Sequence, residues 1–216
     1  MERHNTIPQS APLTAPFTQG GLVVGITGGT GCGKTTALEV IRELGGIVLD
    51  CDAIYHELLQ TEASLLAAIE ARFPGTVSEQ GLDRKKLGAI VFSDNAALQD
   101  LNRITHSAVK KKVLEILESK PSLAAIDAIG LFEGGLAPLC DVTVAVTAPE
   151  DARIKRLVAR DHISEEYAHM RISAQRSQNE FSELCDYTLI NDGTSQEFQN
   201  KCLAFFCGLG IMKENS

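Results

Sequence analysis

Eight residues, Gly28-Gly29-Thr30-Gly31-Cys32-Gly33-Lys34-Thr35, limit what this chain can fold into more than any other stretch. They fit the spacing G-x-x-x-x-G-K-[ST], in which glycines let a short loop wrap an anion with several backbone N–H groups pointing inward. Leu22 to Thr27 reads as a buried strand leading into the loop. Thr35 to Leu44 reads as the helix leaving it, with Ala37, Leu38, Val40, Ile41 and Leu44 at its apolar positions. A strand that feeds a glycine loop at a helix N-terminus also sets the positive end of the helix dipole at the anion. The stretch therefore predicts a site for a nucleoside triphosphate, cradled by Gly29, Thr30, Gly31, Cys32, Gly33, Lys34, Thr35 and Thr36. Lys34 is expected to reach the β- and γ-phosphates, and the Thr35 hydroxyl to ligate Mg²⁺. A glycine turn that binds nothing is the bland alternative, and the agreement of motif with context weighs against it.

Composition narrows the partners. The 216 residues suit one domain, or one with a small insertion. With 20 basic and 28 acidic residues the net charge is −8, which opposes broad binding to nucleic acid. A small phosphorylated ligand needs only a local cluster of positive groups. The six cysteines show neither a C-x-x-C pair nor a zinc spacing and read as reduced thiols of a cytoplasmic protein. Cys32, inside the loop, reads as a small residue tolerated in the turn. No apolar run is long enough to span a bilayer, so no membrane partner is expected. Residues 1–20 carry Pro8, Pro12 and Pro16 without the apolar core of a signal peptide, and are expected to form a flexible tail before a folded domain at 21–216.

Along that domain, Ile47-Val48-Leu49 reads as a second buried strand ending in Asp50-Cys51-Asp52. Ligands gather at the carboxyl ends of strands in open α/β sheets, and strand alternation would put both carboxylates on one side. Either could take a proton from an acceptor hydroxyl or help hold the metal; a plain helix-capping role for Asp52 is the alternative. Residues 53–120 read as a helical insertion without a strand: one helix from Ala53 to Phe73, then others from Asp83 to Phe92 and from Asn95 to Ser119. His106 lies within the last, where a lone histidine is usually a packing residue.

Ser122 to Asp127 reads as the third strand, its closing acid placed like the carboxylate that supports Mg²⁺ in many phosphate-loop enzymes. Asp127-Ala128-Ile129-Gly130 also fits the D-x-x-G of GTP switches, but no N-K-x-D accompanies it. Glu133 follows in position to touch metal or acceptor. Asp141 to Val146 reads as the fourth strand, and Tyr187 to Ile190 as the last. Between them, Arg156 and Arg160 lie four apart on one helix face, where they could close over triphosphate oxygens. A solvated face paired with acids is the alternative. Asn191-Asp192-Gly193 makes the turn into the final helix.

Together these landmarks resemble the dephospho-CoA kinase family, from Leu22 to the final helix. Thr27 to Thr36 is similar to its T-G-G-x-G-[SC]-G-K-[ST]-T, and Asp50-Cys51-Asp52 to its D-x-D. Leu101-Asn102-Arg103-Ile104-Thr105-His106 resembles its L-N-x-I-x-H, and Leu131-Phe132-Glu133 its L-F-E. Arg156, Arg160 and Asp161 match R-x-x-x-R-D, Arg171 with Gln175 matches R-I-x-x-Q, and Asn191-Asp192-Gly193 is like its N-D/N-G turn near the adenine. The resemblance implies a P-loop kinase fold: a five-stranded parallel sheet flanked by helices, a helical CoA-side insertion at 53–120 and a lid at 150–180. It implies ATP and Mg²⁺ as cofactors and dephospho-CoA as acceptor, with phosphate transferred to the ribose 3′-hydroxyl. It makes Asp52 the base and a metal neighbour together with Thr35 and Asp127. Lys34, Arg156 and Arg160 become catalytic cations, Asn191 a nucleotide contact, and Asp50, His106, Leu131 and Glu133 acceptor contacts.

Three positions depart from the family pattern. Ser107 stands where proline usually follows the histidine, and Ile129-Gly130 replaces the usual P-L before L-F-E. Phe181 stands six places after Gln175, where a basic residue is expected, with Arg176 a candidate substitute. The rival readings are another small-molecule or nucleotide kinase on the same fold, and a nucleotide-binding regulatory module that transfers nothing.

Overall fold

The computed structural model describes residues 21–211; the expected tail at 1–20 lies outside the described residues. Five parallel strands form the central sheet: β1 (Leu22–Thr27), β2 (Ile47–Asp50), β5 (Leu123–Asp127), β6 (Val142–Thr147) and β7 (Tyr187–Ile190). Their spatial order is β2-β5-β1-β6-β7. The chain thus crosses from one side of β1 to the other, which opens a crevice at the carboxyl ends of the central strands.

Both faces of the sheet are covered, as its apolar strands require. On one face, α1 (Lys34–Glu43) and α9 (Ser195–Gly208) bury Ala37, Ile41, Phe198 and Phe206 against Val24, Ile26 and Val144. On the other, α2 (Cys51–Thr61), α3 (Ala63–Arg72), α4 (Arg84–Val91) and α5 (Asn95–Leu117) close over Leu49, Ala124 and Ile126. A third, smaller cluster of Ile154, Leu157, Ala168 and Ile172 joins α6 (Glu150–Asp161) to α7 (Glu165–Ser173). The short α8 (Gln178–Leu184) follows, opened by a capping box between Ser177 and Glu180.

The expected five-stranded parallel sheet is present, but β2, expected to be buried, is an edge strand whose Ile47 is exposed and only Leu49 fully buried, and the insertion differs in detail. The single helix expected from Ala53 to Phe73 breaks at Glu62, whose backbone is extended (φ −106°, ψ 93°) and whose carboxylate accepts from the Ser64 N–H. A side chain able to cap a new helix wins there over continuation of the old one. The insertion also contains a hairpin of two-residue strands, β3 (Val77–Ser78) and β4 (Gly81–Leu82). Elements that short carry no periodicity for a pattern to register. No helix among the described residues is long and apolar enough to cross a membrane.

Candidate active site

Strand register assembles the site. Ile26 pairs with Asp127, and Asp127 with Asp50, so the ends of β1, β5 and β2 meet at one edge of the sheet. The loop Gly28–Gly33 leaves β1 at that edge. Gly28 has φ +140°, and a Cβ there would lie 2.2 Å from the Val146 carbonyl oxygen, so only glycine fits.

The loop is held from behind through three successive carbonyls. Arg153 Nε donates to Thr30 O at 2.9 Å, Arg156 Nη1 to Gly31 O at 3.2 Å, and Asn191 Nδ2 to Cys32 O at 2.9 Å. Arg156 Nη2 also donates to Asn191 Oδ1 at 3.1 Å. Carbonyls turned to the protein leave the opposite side of the loop, and the free N–H groups opening α1, for an anion. Cys32 is buried in the core, and burial pushes its thiol pKa up. It fills space behind the loop, as a tolerated small residue should.

Lys34 Nζ donates to Gly28 O at 3.1 Å and lies 3.8 Å from Asp127 Oδ1. That oxygen is buried and has no hydrogen-bond partner. Burial, reinforced by the charges of Asp50 and Asp52 and opposed by Lys34, raises the Asp127 carboxyl to about 6. An orphaned, desolvated carboxylate oxygen beside a phosphate loop suits a divalent cation. Asp127 shares a cleft of about 680 Å³ with the loop, Thr35, Asp52 and Arg160. Among the described residues no three His, Cys, Asp or Glu side chains cluster around one metal position. Mg²⁺ takes few protein ligands and completes its shell with phosphate oxygens and water.

A second cavity, of about 170 Å³, adjoins the first. Asp52, Tyr55, Thr105, His106, Ile129 and Gly130 contribute to its wall. Asp52 and Ile129 line both cavities, so the exposed Asp52 carboxylate stands at their junction.

The family description that matches residues 22–197 is dephospho-CoA kinase. The chain belongs to the dephospho-CoA kinase family. A dephospho-CoA kinase of Lactobacillus acidophilus is 34% identical over 186 residues, which cover 83% of this chain and 92% of the relative. That of Geobacillus kaustophilus is 35% identical over 189 residues, covering 85% and 94%. The dephospho-CoA kinase structure from Campylobacter jejuni matches with a TM-score of 0.62 at 25% identity, covering 88% of this chain and 98% of that one. A Thermus thermophilus structure matches with a TM-score of 0.73 at 29% identity and the same coverage.

Within this family frame, several side chains occupy places other than those expected from the sequence. The strand ends at Asp50, and Asp52 lies in the first turn of α2, so strand alternation does not relate the two acids. Asp50 is the N-cap: its Oδ1 accepts from Ala53 N at 2.9 Å. The capping role considered for Asp52 falls to Asp50, which caps α2 through one carboxylate oxygen and lines neither cavity. Leu131 is fully buried in the core, so its part is packing, not acceptor contact. Asn191 is 5% exposed with both ends of its carboxamide engaged; it props the loop and does not face a nucleotide base. Arg156 likewise holds Gly31 and Asn191 in this conformation, while still lining the cleft.

Glu133 pairs with Arg176 at 2.5 Å, tying the segment after β5 to the segment after α7. Arg176 is therefore paired with a carboxylate, and Phe181 is buried on the inner face of α8. Arg160 and Arg171 both grip Asp161, holding its carboxyl well below the usual carboxylate range through their hydrogen bonds and charge. Through Arg171 the Asp161 carboxylate joins the end of α6 to α7. Arg153 and Gln175 were legible only as a third arginine three residues before Arg156 and as the end of R-I-x-x-Q. Neither pattern says that both side chains reach the loop.

Proposed function

We propose that this site transfers the γ-phosphate of ATP to the ribose 3′-hydroxyl of dephospho-CoA, giving coenzyme A and ADP in the last step of coenzyme A biosynthesis. The observation that carries the proposal is the position of Asp52 at the junction of the phosphate-loop cleft and the cavity of the helical insertion. A donor held on one side and an acceptor on the other meet at that carboxylate.

The loop N–H groups and Lys34 bind and orient the triphosphate, leaving the γ-phosphoryl toward Asp52. The base is expected in the cavity of about 290 Å³ beside Asp192, Gly193 and Phe198. Thr35, Asp127 and Asp52 are the residues that would hold Mg²⁺, which when bound neutralises phosphate charge. Asp52 accepts the proton of the 3′-hydroxyl, and His106 and Tyr55 line the acceptor's side of the junction. Arg160 sits in the cleft wall, where lid movement can bring its guanidinium onto phosphoryl oxygens. Closure of the lid excludes water and so limits wasteful hydrolysis. The six free thiols suit a reducing compartment, and we place the enzyme in the cytoplasm.

ADP release should depend on dephospho-CoA when the protein is given ATP, Mg²⁺ and a panel of dephospho-CoA, adenosine and AMP. Strong turnover with AMP or adenosine and none with dephospho-CoA would remove the acceptor assignment. Nucleotide binding without transfer to any of the three would favour a regulatory module.

A further inference from the structure

Thr30 is gripped on both sides of its backbone by the lid. Arg153 Nε, from α6, donates to its carbonyl at 2.9 Å, and Gln175 Oε1, just after α7, accepts from its N–H at 2.8 Å. Two lid elements therefore converge on one loop residue. Arg153 is 3% exposed, and its Nη2 is buried without a hydrogen-bond partner. That atom would lie 2.5 Å from a Cβ at Gly29, so the guanidinium fills the space directly beneath the loop. Burying a guanidinium with one nitrogen unpartnered is unfavourable. Arg153 does not line the cleft, and its Nε meets the loop from the carbonyl side.

We propose that Arg153 is a positioning residue: with Gln175 it clamps the peptide groups of Thr30 and holds the phosphate loop in its nucleotide-binding shape. The inference rests on reading the loop as the ATP site. It acts through the Nε donor rather than through charge. Side-chain chemistry separates the two contributions. Glutamine Nε2 is four bonds from Cα, the same distance along the side chain as arginine Nε, so glutamine can make the Thr30 bond without a charge. Lysine keeps the charge but has a methylene at that position. Methionine has neither donor nor charge.

The test is steady-state kinetics on Arg153→Gln, Arg153→Lys and Arg153→Met with each substrate varied separately, alongside the thermal shift produced by MgATP alone. Arg153→Gln should keep KM for ATP within about threefold of the parent, whereas Arg153→Lys and Arg153→Met should raise it about tenfold, as expected for one lost bond that organises the loop. KM for dephospho-CoA should stay unchanged in all three, and the MgATP-induced shift should shrink only in the lysine and methionine proteins. Weak ATP binding by Arg153→Gln with normal binding by Arg153→Lys would overturn the proposal in favour of charge. Normal ATP binding by Arg153→Lys alone would also overturn it. If Arg153→Met does not fold, the glutamine–lysine comparison decides by itself. The MgATP shift involves no acceptor, so a parent protein that binds ATP yet leaves dephospho-CoA unmodified refutes the acceptor assignment without touching this result.

Discussion

Asp52→Asn is expected to lower kcat by about 10²- to 10⁴-fold, the usual range for a positioned general base, while the affinity for ATP measured without Mg²⁺ stays within about twofold. The asymmetry follows from where the carboxylate stands. Asp52 lines both cavities but makes no hydrogen bond to the phosphate loop, whose shape is set by Arg153, Arg156 and Asn191. Asparagine has nearly the same shape and leaves the Asp50 cap of α2 untouched. Loss of one exposed negative charge from a first helical turn costs about 0.3–1 kcal/mol, too little to unfold the domain. Turnover should therefore fall with the protein intact, as single-turnover kinetics and calorimetric ATP titration can show. Unchanged turnover would take Asp52 out of the mechanism.

Asp127→Asn should separate stability from function in the opposite direction. The folded protein holds the Asp127 proton more tightly than the unfolded chain, since its carboxyl is raised from 3.8 to about 6. Between those values the folded state binds more protons than the unfolded one, so this group's contribution to stability falls as pH rises through that window. Above it, the ionised carboxylate costs the ligand-free fold up to about 3 kcal/mol. Asparagine avoids this cost. The variant should thus be more stable than the parent at pH 8 in denaturant titration without nucleotide or metal, with the gain shrinking toward pH 4. The same change takes a negative oxygen from the proposed metal site, and transfer should fall at least about 100-fold, on the scale of losing a charge that organises the transition state. A variant less stable at pH 8, or fully active, would contradict this account of Asp127.

The parts of the molecule readable in advance were those whose chemistry is local. Glycines that require positive φ, a lysine and threonine opening a helix, and apolar strands of four to six residues all state their structure within a short window. What escaped depends on which side chains meet. Asp50 and Asp52 differ by two positions, yet a helix starting at Cys51 gives one to the cap and leaves the other at the cavity junction. Leu131, Phe132 and Glu133 are contiguous, but Leu131 turns into the core and Glu133 out to Arg176. Asn191 and Arg153 lie 159 and 123 residues from the loop carbonyls they hold, separations over which no periodicity connects them. The Glu62 break and the β3–β4 hairpin were hidden because capping and a two-residue pairing leave only a faint sequence trace.

The central claim is that the γ-phosphate crosses from the loop cleft to an acceptor held at Asp52. Phosphorus NMR of the product made from ATP and dephospho-CoA tests it most directly. The account predicts one new phosphomonoester signal, coupled to the ribose 3′ proton, appearing in step with ADP. Phosphate on any other position, or ADP and inorganic phosphate with dephospho-CoA unchanged, would contradict it.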